Sequence, residues 1–169
     1  MSNDAISDIA SHVQQSPGSE GREPGLGDGA VKAGMAVGLL STGKFVPLDA
    51  SHATAGLHFV GILARHHSIA LDTAITDSEL CECLKPKSGR KYAVFIEDPG
   101  ANVLKGTPVT FGTTTAGSFK IMTTKASTGL VNQTIALTGD AQDIVIEKVV
   151  AYLAQNLANG DTVTIIEWA

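Results

Sequence analysis

Apolar positions along this chain come in short runs of four to seven residues, separated by turns rich in glycine and small polar residues. From Gly29 onward the turn signals recur every 8 to 12 residues, the spacing of a β-sandwich or barrel. Strands are expected over 35–40, 44–48, 57–64, 67–71, 79–84, 91–97, 108–112, 118–123, 134–138, 144–154 and 162–168. The clearest is Thr162-Val163-Thr164-Ile165-Ile166-Glu167-Trp168, in which β-branched residues dominate. Residues 143–157 read either as one long bent strand or as a helix ended by Asn159-Gly160; β-branched density favours the strand.

The pattern also repeats itself. Val31-Lys32-Ala33-Gly34-Met35-Ala36-Val37 followed by Gly43-Lys44-Phe45-Val46-Pro47-Leu48 is echoed by Val103-Leu104-Lys105-Gly106-Thr107-Pro108-Val109 followed by Gly117-Ser118-Phe119-Lys120-Ile121-Met122. A later pair also matches, Gly89-Arg90-Lys91-Tyr92-Ala93-Val94-Phe95-Ile96-Glu97 and the run from Gly160 to Trp168. Repeated units of this kind bury a face against one another. The expectation is an all-β, compact barrel-like single domain over 29–169, built from two similar halves related by a rough pseudo-two-fold.

Residues 1–28 differ. Ser16-Pro17-Gly18-Ser19-Glu20-Gly21-Arg22-Glu23-Pro24-Gly25 is rich in Pro, Gly and charge, and reads as a flexible linker. Before it, Ile6, Ile9, Ala10 and Val13 share one face of a short helix, capped by Asn3 or Asp4 and stopped by Pro17-Gly18. So short a helix is marginal alone in water. It reads as a frayed tail, or as an arm whose apolar stripe Ile6, Ile9 and Val13 docks on a partner; a stripe with no use in solvent favours docking.

Composition narrows the function classes. Of 169 residues, 43% are hydrophobic but only 17% are charged and 5% aromatic, with 18 glycines, which suits strands and tight turns better than surface helices. A net charge of −5 argues against a dedicated nucleic-acid surface, and the short basic run Lys85, Lys87, Arg90 and Lys91 reads as a solvated turn. No apolar run is long enough for a membrane-spanning helix, and no secretory leader is expected. Cys81 and Cys83, two apart, would share a strand face; a disulfide between them would be strained, so free thiols in a reducing compartment are expected.

Candidate chemistry is sparse. Gly38-Leu39-Leu40-Ser41-Thr42-Gly43-Lys44 fits the spacing of a phosphate-binding loop, but Phe45 stands where Ser or Thr would hold magnesium and Val46-Pro47 does not open a helix. A hairpin turn is the better reading. His52, His58, His66 and His67 gather near the two cysteines, and a small metal-dependent β-barrel enzyme is the alternative they support, although their spacing matches no established zinc pattern. A tail or baseplate β-module that stacks glycans on Trp168, Tyr92, Tyr152 and the five Phe is a further alternative. No nucleophile elbow occurs. The reading is a non-enzyme that needs no cofactor or metal.

The cadence from Gly29 through Ala33-Gly34-Met35-Ala36-Val37 to Phe59-Val60-Gly61-Ile62-Leu63, with the closing Gly160-Asp161-Thr162-Val163-Thr164-Ile165-Ile166, resembles the small head decoration, or cement, proteins of tailed bacteriophages. The likeness covers 29–168 loosely and rests on structural turns. It implies a compact β-barrel or β-tulip, often trimeric, made in the host cytoplasm. Such a protein sits on the exterior of the expanded capsid, bound to the major capsid protein, with an N-terminal arm that orders on neighbouring subunits. The stretch from Thr123 to Asp143 and the helix-prone arm depart from that pattern.

Overall fold

The computed structural model describes residues 21–48, 57–64, 73–122 and 149–169. The arm residues Ile6, Ile9 and Val13, the strands expected at 67–71 and 134–138, and the 123–143 stretch lie outside them. Among the described residues the protein is all-β, with ten strands and no helix. The strands are β1 (Arg22–Gly27), β2 (Ala36–Leu39), β3 (Lys44–Pro47), β4 (Phe59–Leu63), β5 (Leu80–Leu84), β6 (Lys91–Phe95), β7 (Pro108–Phe111), β8 (Phe119–Ile121), β9 (Ala151–Leu153) and β10 (Val163–Trp168). The first five close into a barrel in the order β1-β3-β2-β4-β5, and the last five form a sheet in the order β6-β10-β9-β7-β8.

These two sets are the same structure built twice, strand for strand. In the first, Val37 pairs with Pro47, Ala36 with Ile62, Leu63 with Cys83 and Arg22 with Leu84. In the second, Val109 pairs with Ile121, Pro108 with Tyr152, Leu153 with Ile166 and Lys91 with Glu167. Turn contacts repeat as well. The Gly34 N–H donates to the Leu63 carbonyl at 2.9 Å, and the Gly106 N–H to the Leu153 carbonyl at 2.8 Å. Ahead of β5 the Thr76 N–H donates to the Glu79 carboxylate at 3.3 Å, and ahead of β10 the Ala158 N–H donates to the Asp161 carboxylate at 3.0 Å.

This register corrects the phase of the repeat. The segment from Gly89 to Glu97 does not close the first half: β6 opens the second half, and its counterpart is β1. The counterpart of β10 is β5. Similarity between the Gly89 and Gly160 segments reflects a turn glycine followed by a strand, which any strand of the repeat can show.

It also corrects the boundary expected at residue 29. Arg22–Gly27, read as linker, is the strand that closes the first barrel, antiparallel to β5 along its length and parallel to β3 at Leu26 and Gly27. Closure depends on what faces inward. A Cβ on Gly25 would stand 2.5 Å from the Phe45 ring, and one on Gly27 would stand 2.9 Å from Ile75. The absence of side chains lets β1 lie over them. At the matching positions of β6 stand Val94 and Ile96, both buried. There the parallel closure is a single bridge, Ile96 to Phe119, so bulkier inward residues hold the second barrel ajar.

Two apolar clusters result. One fills the first barrel with Val31, Val37, Phe45, Leu63, Ile75, Cys81 and Cys83. The larger one fills the second half and extends onto the outside of the first, through Ala36, Ile62 and Leu84. Phe59 of β4 reaches across the junction, stacked on Trp168 with ring centroids 5.3 Å apart and lying 4.9 Å from Phe111. The two halves are not related as a pseudo-two-fold pair would be. In such a pair the same patch of each half would meet its twin, yet Ile62 is buried at this junction while its counterpart Tyr152 is 44% exposed.

Candidate functional site

Among the described residues, those that carried candidate chemistry are dispersed or shut away. Of the four histidines, only His58 falls among the described residues, exposed just ahead of β4; His52, His66 and His67 lie outside them. Among the described residues no three His, Cys, Asp or Glu side chains gather as a metal site.

Cys81 and Cys83 do share one face of β5, as their spacing predicts, and that face is the inside of the first barrel. Both are free thiols. Burial, with Glu79 and Asp28 adding to it, pushes the Cys81 thiol from 9.0 up to about 11. Burial first and Glu23 second push Cys83 to about 11 as well. A nucleophile or metal ligand needs the thiolate, so at neutral pH neither thiol is primed for reaction.

The phosphate-loop spacing proves to be the β2–β3 hairpin, with the Gly43 N–H donating to the Leu40 carbonyl at 2.9 Å and the Leu40 N–H to the Lys44 carbonyl at 2.9 Å. Lys44 is engaged: its ammonium lies 2.6 Å from Asp77. The hydrogen bond from Lys44, more than any other influence, holds the Asp77 carboxyl below its ordinary value. Of the basic run, Lys85 pairs with Glu23 at 2.8 Å and, with the Arg22–Glu82 pair at 2.8 Å, ties β1 to β5. Exposed pairs like these add little stability each.

Other carboxylates are structural. Glu97 accepts the Thr114 and Thr115 N–H groups at 2.6 and 2.9 Å and so fixes the β7–β8 turn. Asp98 accepts the N–H groups of Gly100 and Gly160 at 2.9 and 3.0 Å, which hold its carboxyl below the ordinary range. The aromatics of the glycan reading are mostly enclosed as well. Tyr92 is fully buried, its hydroxyl accepting the Lys87 N–H at 3.2 Å, and Trp168 belongs to the junction cluster. Tyr152 alone of the three stands at the surface.

Part of the accessible surface is apolar. Leu26 (36% exposed), Leu80 (65%), Leu104 (73%) and Tyr152 (44%) are the large hydrophobic residues exposed among the described positions. Leu26 and Leu80 face each other across the β1–β5 ladder, and Pro24 follows on the same outer face. Tyr152 pairs with Pro108 on the outside of the second half, and Leu104 caps the turn leading to β7. Sequence reasoning missed all four as a set, because exposure at these positions is visible only once the register is known. Comparison with family models finds none that matches this chain, and comparison with curated proteins likewise finds no match.

Proposed function

We propose that this protein is a virion structural protein that binds the outer surface of an expanded phage capsid and stabilises it across subunit joints, with the major capsid protein as its partner. The observation that carries the reading is a doubled β body that encloses Cys81 and Cys83 and, among the described residues, exposes a few large apolar side chains. The decoration-protein cadence over 29–168 supplies the partner class. Binding needs the assembled lattice, because only there do the body and the arm find both of their contacts, and a protein that binds only the assembled state stabilises it by mass action. Ile6, Ile9 and Val13 add the second contact, at an effective concentration set by the chain joining them to β1.

The test is to mix purified protein with expanded heads that lack it, then measure co-sedimentation and the temperature of head disruption. Co-sedimentation with a raised disruption temperature is the expected result. Absence of binding at about micromolar protein, a level at which ~8 kcal/mol of binding energy would register, rejects the reading.

A further inference from the structure

The turn Ala158-Asn159-Gly160-Asp161 carries the one Asn-Gly step in the sequence. It feeds β10, the strand that pairs with both β6 and β9. The Asp161 N–H donates to the Ala158 carbonyl at 3.1 Å and Gly160 takes φ of 85°, the geometry of a type II turn. Asn159 and Gly160 are both exposed, and a Cβ on Gly160 would meet nothing within 4 Å. Gly160 thus has no side chain to shield its nitrogen from the Asn159 carboxamide beside it, and its surroundings leave that side open.

This pairing is reactive in itself, and asparagine is among the thermolabile residues. Once the Gly160 nitrogen has given its proton to solvent, it can attack the Asn159 Cγ and form an N–Cγ bond that closes a five-membered ring. The Cγ–Nδ2 bond breaks, and Nδ2 leaves as ammonia with a proton taken from water. Water then adds to one of the two ring carbonyls. Opening at Cγ leaves aspartate in an unchanged main chain. Opening at the main-chain carbon leaves isoaspartate, with the main chain rerouted through the former side chain. The net change is water in and ammonia out.

Three bonds hold the turn away from that reaction. The Ala158 N–H donates to the Asp161 carboxylate at 3.0 Å, the Asn159 N–H to the Asn102 side-chain oxygen at 2.9 Å, and the Gly160 N–H to the Asp98 carboxylate at 3.0 Å. The last acts on the attacking atom. A charged acceptor makes one of the stronger hydrogen bonds in a protein, and removing this proton would set an anionic nitrogen against an anionic carboxylate. The same Asp98 oxygen accepts the Gly100 N–H at 2.9 Å, which fixes it in place and favours its charged form.

The twin turn in the first half sharpens the point. In Thr76-Asp77-Ser78-Glu79 the Glu79 N–H donates to the Thr76 carbonyl at 3.0 Å, the same closing bond. Ser78, with φ of 63°, stands in the place of Gly160 and donates its N–H to the uncharged Gly27 carbonyl at 2.8 Å. A carboxylate holds the N–H at the turn with the reactive Asn-Gly step, and a neutral carbonyl holds it at the turn without one.

We infer that Asn159 is a self-modification site kept silent by folding, with Asp98 as its guard, and that chains which open this turn convert irreversibly to aspartate and isoaspartate. Each conversion adds a negative charge close to Asp98 and Asp161. Isoaspartate also lengthens the main chain by one atom just ahead of β10 and moves the Gly160 N–H off Asp98. A chain that has opened is left marked and less stable.

The test incubates the full-length chain in warm, mildly alkaline buffer, with and without guanidinium chloride, and follows the Asn159 peptide by mass spectrometry. Chromatography separates its aspartate and isoaspartate forms. Conversion is expected to be at least about tenfold slower in the folded chain than in denaturant, a barrier difference of ~1.4 kcal/mol. Asp98→Asn keeps the shape and an acceptor but loses the charge, and should speed conversion in the folded chain by about fivefold. Thermal melts establish that this variant is folded, and the wild-type comparison decides the matter without it. Equal rates with and without denaturant, an Asn159 that stays unconverted in denaturant, or a folded Asp98→Asn chain no faster than wild type overturns the inference. No capsid enters the measurement, so its outcome is independent of the capsid reading.

Discussion

The ring of Phe45 occupies the space that a side chain on Gly25 would need, with only 2.5 Å between the ring edge and the place of a Cβ. Phe45 is fully buried inside the first barrel and has nowhere to retreat. Replacing Gly25 with Val is expected to destabilise the protein by about 1–3 kcal/mol, the usual cost of overpacking. Hydrogen exchange should speed up first at the β1–β3 closure, and calorimetry gives the overall loss. An unchanged melt would mean that β1 does not lie over Phe45 as described.

Thr164 gives the opposite expectation. Its hydroxyl is buried on the inward face of β10 without a hydrogen-bond partner, at the position Cys81 holds in the first barrel. An unsatisfied buried hydroxyl costs about 1–3 kcal/mol. Thr164→Val keeps the shape and removes that cost, so the melting temperature should rise by about 2–4 °C per kcal/mol recovered for a chain of this size. A fall in melting temperature would show that the hydroxyl is satisfied.

The two interior thiols set an alkaline limit on stability. In the folded chain they titrate near 11, whereas their ordinary value is 9.0. Between those values the unfolded chain loses thiol protons that the folded chain keeps, so stability falls as pH rises. The contribution is fully present below pH 9.0 and lost as pH climbs towards about 11. Urea melts from pH 8 to 10.5 should therefore show a steeper decline for wild type than for Cys81→Ala/Cys83→Ala, whose baseline stability is lower because both changes leave cavities. Parallel slopes for the two proteins would contradict it.

The arm can be tested only if the cut respects β1. Removing residues 1–19 leaves Arg22–Gly27 intact, and the truncated chain should melt as wild type does while binding expanded heads at least about tenfold more weakly, a loss of ~1.4 kcal/mol. Equal binding would make Ile6, Ile9 and Val13 incidental. A cut at residue 25 would instead remove part of the closing strand and report on the barrel.

Much of the architecture was legible because its determinants are local. Glycine turns and short apolar runs mark β2, β3, β5, β7 and β10 almost to the residue, and the two-residue spacing of Cys81 and Cys83 put both on one face. Strand β1 was not legible, for a physical reason: its inward residues are Gly25 and Gly27, its one large apolar residue faces solvent, and it contributes room where other strands contribute bulk. Strand pairing was legible only in part, since sequence similarity tracks strand type and not position in the sheet. The junction was least legible of all. It depends on where the two halves differ, Ile62 against Tyr152 and Leu84 against Glu167, and such differences carry meaning only after the register has aligned them.

That shared register also indicates where the chain tolerates change in length. The antiparallel ladders of the two halves share one register apart from a bulge between Val37 and Gly38, so a single insertion within a strand would turn its inward side chains outward. The connections differ freely: β3 leads to β4 from Pro47 to Phe59, while β8 leads to β9 from Ile121 to Ala151. Foreign peptides grafted into the β8–β9 connection should therefore leave the barrels assembled, which makes that connection the natural place to carry cargo on the protein.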